Sequence, residues 1–365
     1  MEDNRKSKKI ANDIKFLNDK KVSYGRSRSE IDFYNFGLEI TKSLEPELFN
    51  SIECVSSRLF INIENIKTFV YPSESIQAEC WAFEELCLIR ISSTVLDKLN
   101  YDEIKFIIGH EIGHYLLEHT NFEIERPELM IISKAREISC DRLGLIACES
   151  YENAISCIIK TQSGLSKINL NISDYLDTSL SNINQSSSKF NYSSHPSLPV
   201  RAKSLKLAKD YLLKYFPDYS SNLAFSEKAR IDEEINKNFE KYENKVLIDE
   251  ICESKNGVLS WLWINLSINQ NKIEKVNSSK IKDKFGEQFY EKFKRNFNSL
   301  KYDEVQDFVD NKLNEGLKEL YDKIPYSFTS YVNNELNFAK NEIRNPEIEK
   351  RIHKIKLSLP KFNYS

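Results

Sequence analysis

Residues 104–120 read IKFIIGHEIGHYLLEHT, and the reading of every other segment depends on this one. His110 and His114 are four apart, one turn of helix, so both imidazoles face the same way and can ligate one Zn²⁺ at roughly 2.0–2.1 Å. Glu111 lies beside that pair, where its carboxylate can take a proton from an activated water. Ile104, Ile107, Ile108, Ile112, Leu116 and Leu117 supply a buried stripe, and Asn100 or Asp102 can cap the helix start. A metzincin extension would need glycine at position 117 and histidine at 120, where this chain has Leu117 and Thr120. His119, five residues past His114, falls about 140° round an ideal helix and is expected to point away.

A zinc hydrolase needs a third protein ligand. KAREISCDRLGLIA, residues 134–147, reads as a second helix, on which Glu137 can complete a His₂Glu set with a fourth position open for water. Asp141 is one turn further on the same face and can accept the remaining N–H of a ligand imidazole. A lone Glu and Asp on a helix would ordinarily be a solvated face. Against that, three of the chain's 9 glycines (Gly109, Gly113 and Gly144) fall in these two helices. Helix-interior glycine costs stability unless backbones must approach closely.

HEIGH, then EISCDRLG, then HPSLPVR at 195–201 resemble the three motifs of the gluzincin family of prenyl-CAAX and HtpX-like proteases, metallopeptidase family forty-eight. The resemblance covers roughly residues 45–210, with the motifs in the family's order. It implies zinc ligation by His110, His114 and Glu137, with Glu111 as general base. It also implies that His195 steadies the oxyanion and that Arg201 ties down Asp141. The family's substrate-binding edge strand usually carries an Asn-Ala pair; Gln77-Ala78-Glu79-Cys80 occupies the matching place, with Gln for Asn. Cys140 stands where the family usually has a small residue such as Ala, which puts a thiol near the metal.

The 365 residues are enough for two domains or one with a large extension. Hydrophobic residues at 40% and charged residues at 29% suit a globular chain, and a net charge of −3 implies neither nucleic acid nor an anionic membrane as partner. Seven cysteines are odd in number and lack framework spacing, so they read as reduced thiols. MEDNRKSKKIANDIKF has no apolar signal-peptide core, and VLSWLWINL (258–266) is too short to span a bilayer. The expectation is therefore a soluble, cytoplasmic relative of a family best known for membrane proteases.

Three domains are expected: a charged, helical or flexible arm over 1–45, the peptidase domain over 46–210, and a helical accessory domain over 211–365. Leu48–Leu59 should be helical and pack behind a sheet. Thr68–Tyr71, Ile76–Trp81 and Leu86–Ile91 are rich in β-branched and aromatic residues and separated by polar turns, so they predict a small, largely antiparallel sheet. Ser- and Asn-rich 163–194 predicts a long loop ending at His195, either a lid or a tolerated insertion. Phe285, Phe289, Phe293 and Phe297, then Val305, Val309, Leu313, Leu317 and Leu320, predict helical core stripes without chemistry, in a region that buttresses the peptidase or binds a protein partner.

The combined reading is an α+β zincin core with an all-helical C-terminal region, acting as a zinc metallopeptidase on peptide or protein substrates. Its rivals are a zincin-fold regulatory or binding protein and an ImmA/IrrE-like regulatory protease. An intact Glu111 and the second and third motifs favour the peptidase.

Overall fold

The computed structural model describes residues 2–20, 37–83, 85–119, 126–166, 178, 195–270, 272–298, 300–301 and 304–359. The chain divides into two compact units, residues 1–124 with 130–245 and residues 125–129 with 246–365. Both carry helical cores, and the first adds a four-stranded sheet, so the α+β expectation holds.

The sheet comprises β1 (Leu38–Glu39), β2 (Ile66–Tyr71), β3 (Ala78–Phe83) and β4 (Leu86–Ser92), in the order β1-β2-β4-β3. β1 with β2 and β3 with β4 are antiparallel, but the central pair β2–β4 is parallel. The sheet is therefore mixed, and with two of its three pairings antiparallel it is largely antiparallel as expected. After β2 the chain crosses to the outer edge for β3 and returns between the two as β4. This buries β4 on both faces, with Leu88 and Ile89 each fully covered, and among the described residues it leaves β3 with an open edge. The Ser92 N–H donates to the Gln77 carbonyl at 2.9 Å. Antiparallel pairing alternates, so the backbone groups of Gln77 and Glu79 face β4 while those of Ala78 and Cys80 face away from it.

Behind the sheet run the helices. α1 spans Glu2–Ile14, α2 Pro46–Arg58, α3 Ser93–Lys98 and α4 Tyr101–Leu116. α2 buries Leu48, Ile52 and Val55 and packs chiefly on α4 rather than on the sheet. α4 starts from a capping box: the Glu103 N–H donates to Asn100 Oδ1 at 2.9 Å, and the Asn100 N–H to Glu103 Oε2 at 2.8 Å. From Phe106 to Gly113 every residue of α4 is buried, which makes it the central helix of the unit.

α5 (Pro127–Cys148) lies against α4 at backbone contact. A Cβ on Gly109 would sit 2.4 Å from the Ala147 Cβ, and one on Gly144 would sit 2.8 Å from the Phe106 carbonyl oxygen. Neither position has room for a side chain, which is why these helices tolerate glycine. α6 (Tyr151–Ser163), α7 (Leu198–Tyr215) and α8 (Asn222–Tyr242) complete the unit.

The N-terminal stretch is not a loose arm over its described part. Ile10 and Ile14, one turn apart, are buried with Ala11 and Phe16. Three side chains spaced along α5 fasten the backbone from the end of α1 to Lys20. Arg142 Nη1 donates to the Ile14 carbonyl at 2.7 Å, Ser139 Oγ accepts from the Phe16 N–H at 3.0 Å, and Arg136 Nη2 donates to the Lys20 carbonyl at 3.2 Å. Apolar spacing was present in IANDIKF, but the high local charge masked it.

The second unit contains α9 (Lys245–Ser267), a small hairpin of β5 (Ile268–Asn269) and β6 (Lys272–Ile273), α10 (Lys275–Phe285), α11 (Glu287–Asn298), α12 (Val305–Lys323), α13 (Phe328–Glu342) and α14 (Ile348–Ser358). Val305, Val309, Leu313, Leu317 and Leu320 form the buried stripe of α12 as expected. The phenylalanine repeat does not lie on one helix. Gly286, at φ +86°, ends α10 and divides Phe285 from Phe289, Phe293 and Phe297.

Most of the expected 163–194 loop, residues 167–177 and 179–194, lies outside the described residues, so the lid expectation does too. Among the described residues no helix is long and apolar enough to cross a membrane.

Candidate metal centre

Helical spacing on α4 points the rings of His110 and His114 at α5, where close packing places Glu137. His110 Nε2 lies 3.5 Å from Glu137 Oε2, and His114 Nε2 lies 3.5 Å from Glu137 Oε1. Donor atoms sharing one tetrahedral zinc at 2.0–2.1 Å stand roughly 3.3 Å apart, so the spacing fits such an ion. His195, just before α7, brings Nε2 to 3.6 Å from Glu137 Oε2 while its side chain stays 59% exposed.

The outer nitrogens of both α4 imidazoles are engaged elsewhere. His110 Nδ1 donates to Asp141 Oδ1 at 3.0 Å, and Asp141 in turn accepts from Arg201 Nε at 2.8 Å and Nη2 at 2.5 Å. This buried fork brings together the Asp141 and Arg201 of the second and third motifs. It fixes the His110 ring with Nε2 inward. His114 Nδ1 lies 3.0 Å from Nδ1 of His119, whose Nε2 is 3.1 Å from both oxygens of Asp19.

His119 therefore does not point away. α4 ends at Leu116, and Glu118 takes a left-handed conformation at φ +55°, which turns the chain back over the helix end. An angle of about 140° holds only where the helix continues. Asp19 was not singled out from sequence at all. Its neighbours in sequence are polar and charged, and nothing local marks its approach to a residue 100 positions away.

Electrostatics follow from burial and from these partners. Burial opposes charge on Glu137, but the surrounding imidazoles of His195, His110 and His114 outweigh it and hold the carboxyl well below its usual range. Burial likewise opposes charge on Asp141, and Arg201 overcomes it. Burial also works against a charged His110, yet Asp141 and Glu137 together raise it to about 10, so a metal entering here must displace a proton. Burial drives His114 well below the ordinary imidazole value and lowers His119. Glu111, also buried, is pushed up to about 7 by the same desolvation. A dication beside it would pull that value back down.

Cys140 is fully buried, with its Sγ 3.5 Å from His119 Nδ1. Together with His110 and His114 it forms a second conceivable donor set, whose ligand atoms lie within 4.8 Å of one another. Glu137 is the other donor within reach, with one carboxylate oxygen 3.5 Å from each inward Nε2. Burial raises the Cys140 thiol well above its ordinary value, which works against ready oxidation.

His110, Glu111, Glu137, His195 and Arg201 line a cleft of about 640 Å³ together with Gln77, Ala78 and Glu79. Cys80, the fourth strand residue expected to bind substrate, does not line it; its Sγ sits 3.6 Å from that of Cys87. Phe106, Ile107 and Ile158 add apolar lining.

Residues 51–131, which hold the HEIGH helix and the strands before it, match the family model for peptidase family M48. Over that stretch the chain is similar to the M48 peptidases. It is also similar to the metalloprotease YcaL of Escherichia coli (strain K12), at 29% identity over 96 residues, or 24% of this chain and 37% of the relative. The chain thus spans little more than a third of the length of that curated relative. No solved structure matches the chain. The M48 match ends before Glu137, so Glu137, Asp141, His195 and Arg201 enter the site on geometry and on the motif resemblance alone.

Proposed function

We propose that this chain is a zinc-dependent metallopeptidase that hydrolyses peptide bonds of peptide or protein substrates. The observation that carries the reading is the approach of two α4 Nε2 atoms to one α5 carboxylate, with each outer Nδ1 already hydrogen-bonded. His110, His114 and Glu137 would hold the ion. When bound, zinc supplies a Lewis acid for the scissile carbonyl and acidifies its water. Glu111, buried beside the ligands and lining the same cleft, takes the proton from the attacking water and passes it to the leaving amine. His195, exposed above Glu137, donates to the oxyanion as it develops. Arg201 acts through Asp141 and keeps the His110 ring fixed.

The open edge of β3 offers substrate the outward N–H and C=O of Ala78 and Cys80, so an extended peptide can add as a fifth strand. Ala78→Pro removes one outward donor without touching the bonds to β4. Zinc content should stay at the wild-type level while kcat/KM falls several-fold, the equivalent of about 0.5–1.5 kcal/mol for one hydrogen bond. Unchanged turnover in folded Ala78→Pro would exclude this strand as the docking edge.

The metal is tested by elemental analysis and by digestion of a peptide library before and after chelation. One zinc per chain is expected, with cleavage lost on chelation and restored by zinc. Glu137→Ala should lose most of the metal; full retention would remove Glu137 from the ligand set.

A further inference from the structure

His110 and His114 differ in what holds their outer nitrogens. For His110 the partner is the Asp141 carboxylate, which accepts only, so in the neutral ring Nδ1 carries the proton and Nε2 is the nitrogen left for a metal. For His114 the neighbour is another imidazole, which could either donate or accept. The ambiguity is resolved one residue further out. Asp19 meets His119 Nε2 with both oxygens at 3.1 Å, and both side chains are only 3% exposed. A carboxylate accepts, so in neutral His119 the proton sits on Nε2 and Nδ1 carries a lone pair. His119 Nδ1 then accepts from His114 Nδ1–H, and His114 Nε2 is left bare toward Glu137, 3.5 Å away.

We propose that His119 and Asp19 form a positioning relay that holds His114 in its metal-binding tautomer and orientation, so that the N-terminal segment is a working part of the metal centre. This rests on the metal-site reading above and extends it to two residues outside the three motifs. The segment is built for the task. Arg142, Ser139 and Arg136, spaced three residues apart on the helix that carries Glu137, fasten the backbone at Ile14, Phe16 and Lys20 and deliver Asp19 to the turn after α4. Partners of this kind typically change metal affinity by about 10–100-fold when removed.

The test is zinc affinity, read in full-length protein by competition with a chromogenic chelator at one neutral pH, with circular dichroism to confirm folding. His119→Phe removes the acceptor and is expected to weaken binding about 10–100-fold. His119→Asn puts an amide oxygen where Nδ1 stood and should stay close to wild type. Asp19→Ala frees the His119 tautomer and should fall between the two. A purely structural role would make all three variants weaken with their loss of folding, and the amide would not rescue. Folded His119→Phe with wild-type affinity overturns the relay. Should His119→Phe fail to fold, the comparison moves to the other two: Asp19→Ala weaker than His119→Asn supports the relay, and the reverse order overturns it. Wild-type protein that binds no zinc would overturn the metal-site reading itself, and the relay with it.

Discussion

With Glu111 replaced by Gln, the protein is expected to bind zinc as the parent does while peptide turnover falls by about 10²–10⁴-fold, the usual contribution of a positioned general base. Gln keeps the size of the side chain and an oxygen of similar reach, but it cannot take up a proton at neutral pH. Glu111 is not among the three proposed ligands, so the substitution should leave the ligand set untouched. The same substitution separates enzyme from binder. A zincin-fold protein that only grips a partner would lose function with Glu137→Ala, which empties the site, and keep it with Glu111→Gln. Zinc content, peptide turnover and the biological phenotype of the two variants together decide between these readings. Parental phenotype in Glu111→Gln would mean that peptide hydrolysis is not the function that matters.

Much of this centre was legible in the sequence because its elements are local. Four-residue spacing puts His110 and His114 on one face wherever the segment is helical. The same holds for Glu137 and Asp141, and Asn100 with Glu103 marks where the first of these helices begins. Gly109 and Gly144 forecast that the two helices would touch, and the Cβ clearances bear that out. What escaped is non-local or depends on a break in periodicity. His119 was misplaced because a single left-handed residue, Glu118, ends the regular geometry from which its direction was reckoned. The parallel pairing of β2 with β4 cannot be read from strands that are consecutive in sequence, since alternation of side chains is the same in either pairing. Gly286 was visible in the sequence, yet the four-residue phenylalanine rhythm on either side of it suggested one continuous helix.

Asp141 is where fold and chemistry depend on one side chain, and Asp141→Ala should injure both. Arg201 is 8% exposed, and its fork closes on Asp141 with two hydrogen bonds of 2.8 and 2.5 Å. Removing the carboxylate leaves a buried guanidinium without its closest anion, a change that typically costs about 3–5 kcal/mol. It also strips His110 Nδ1 of its acceptor, so zinc affinity should fall by about 10–100-fold. The two losses can be separated. Replacing both partners, as in Asp141→Leu with Arg201→Met, removes the stranded charge along with the carboxylate. Buried ion pairs exchanged for apolar groups of similar volume often lose little stability. The double variant should therefore recover much of the unfolding free energy in urea while its zinc affinity stays low, because nothing then fixes the His110 tautomer. Recovery of zinc binding along with stability would show that Asp141 serves the fold alone. Loss of less than about 1 kcal/mol in Asp141→Ala would show that the buried fork is not the anchor its geometry implies.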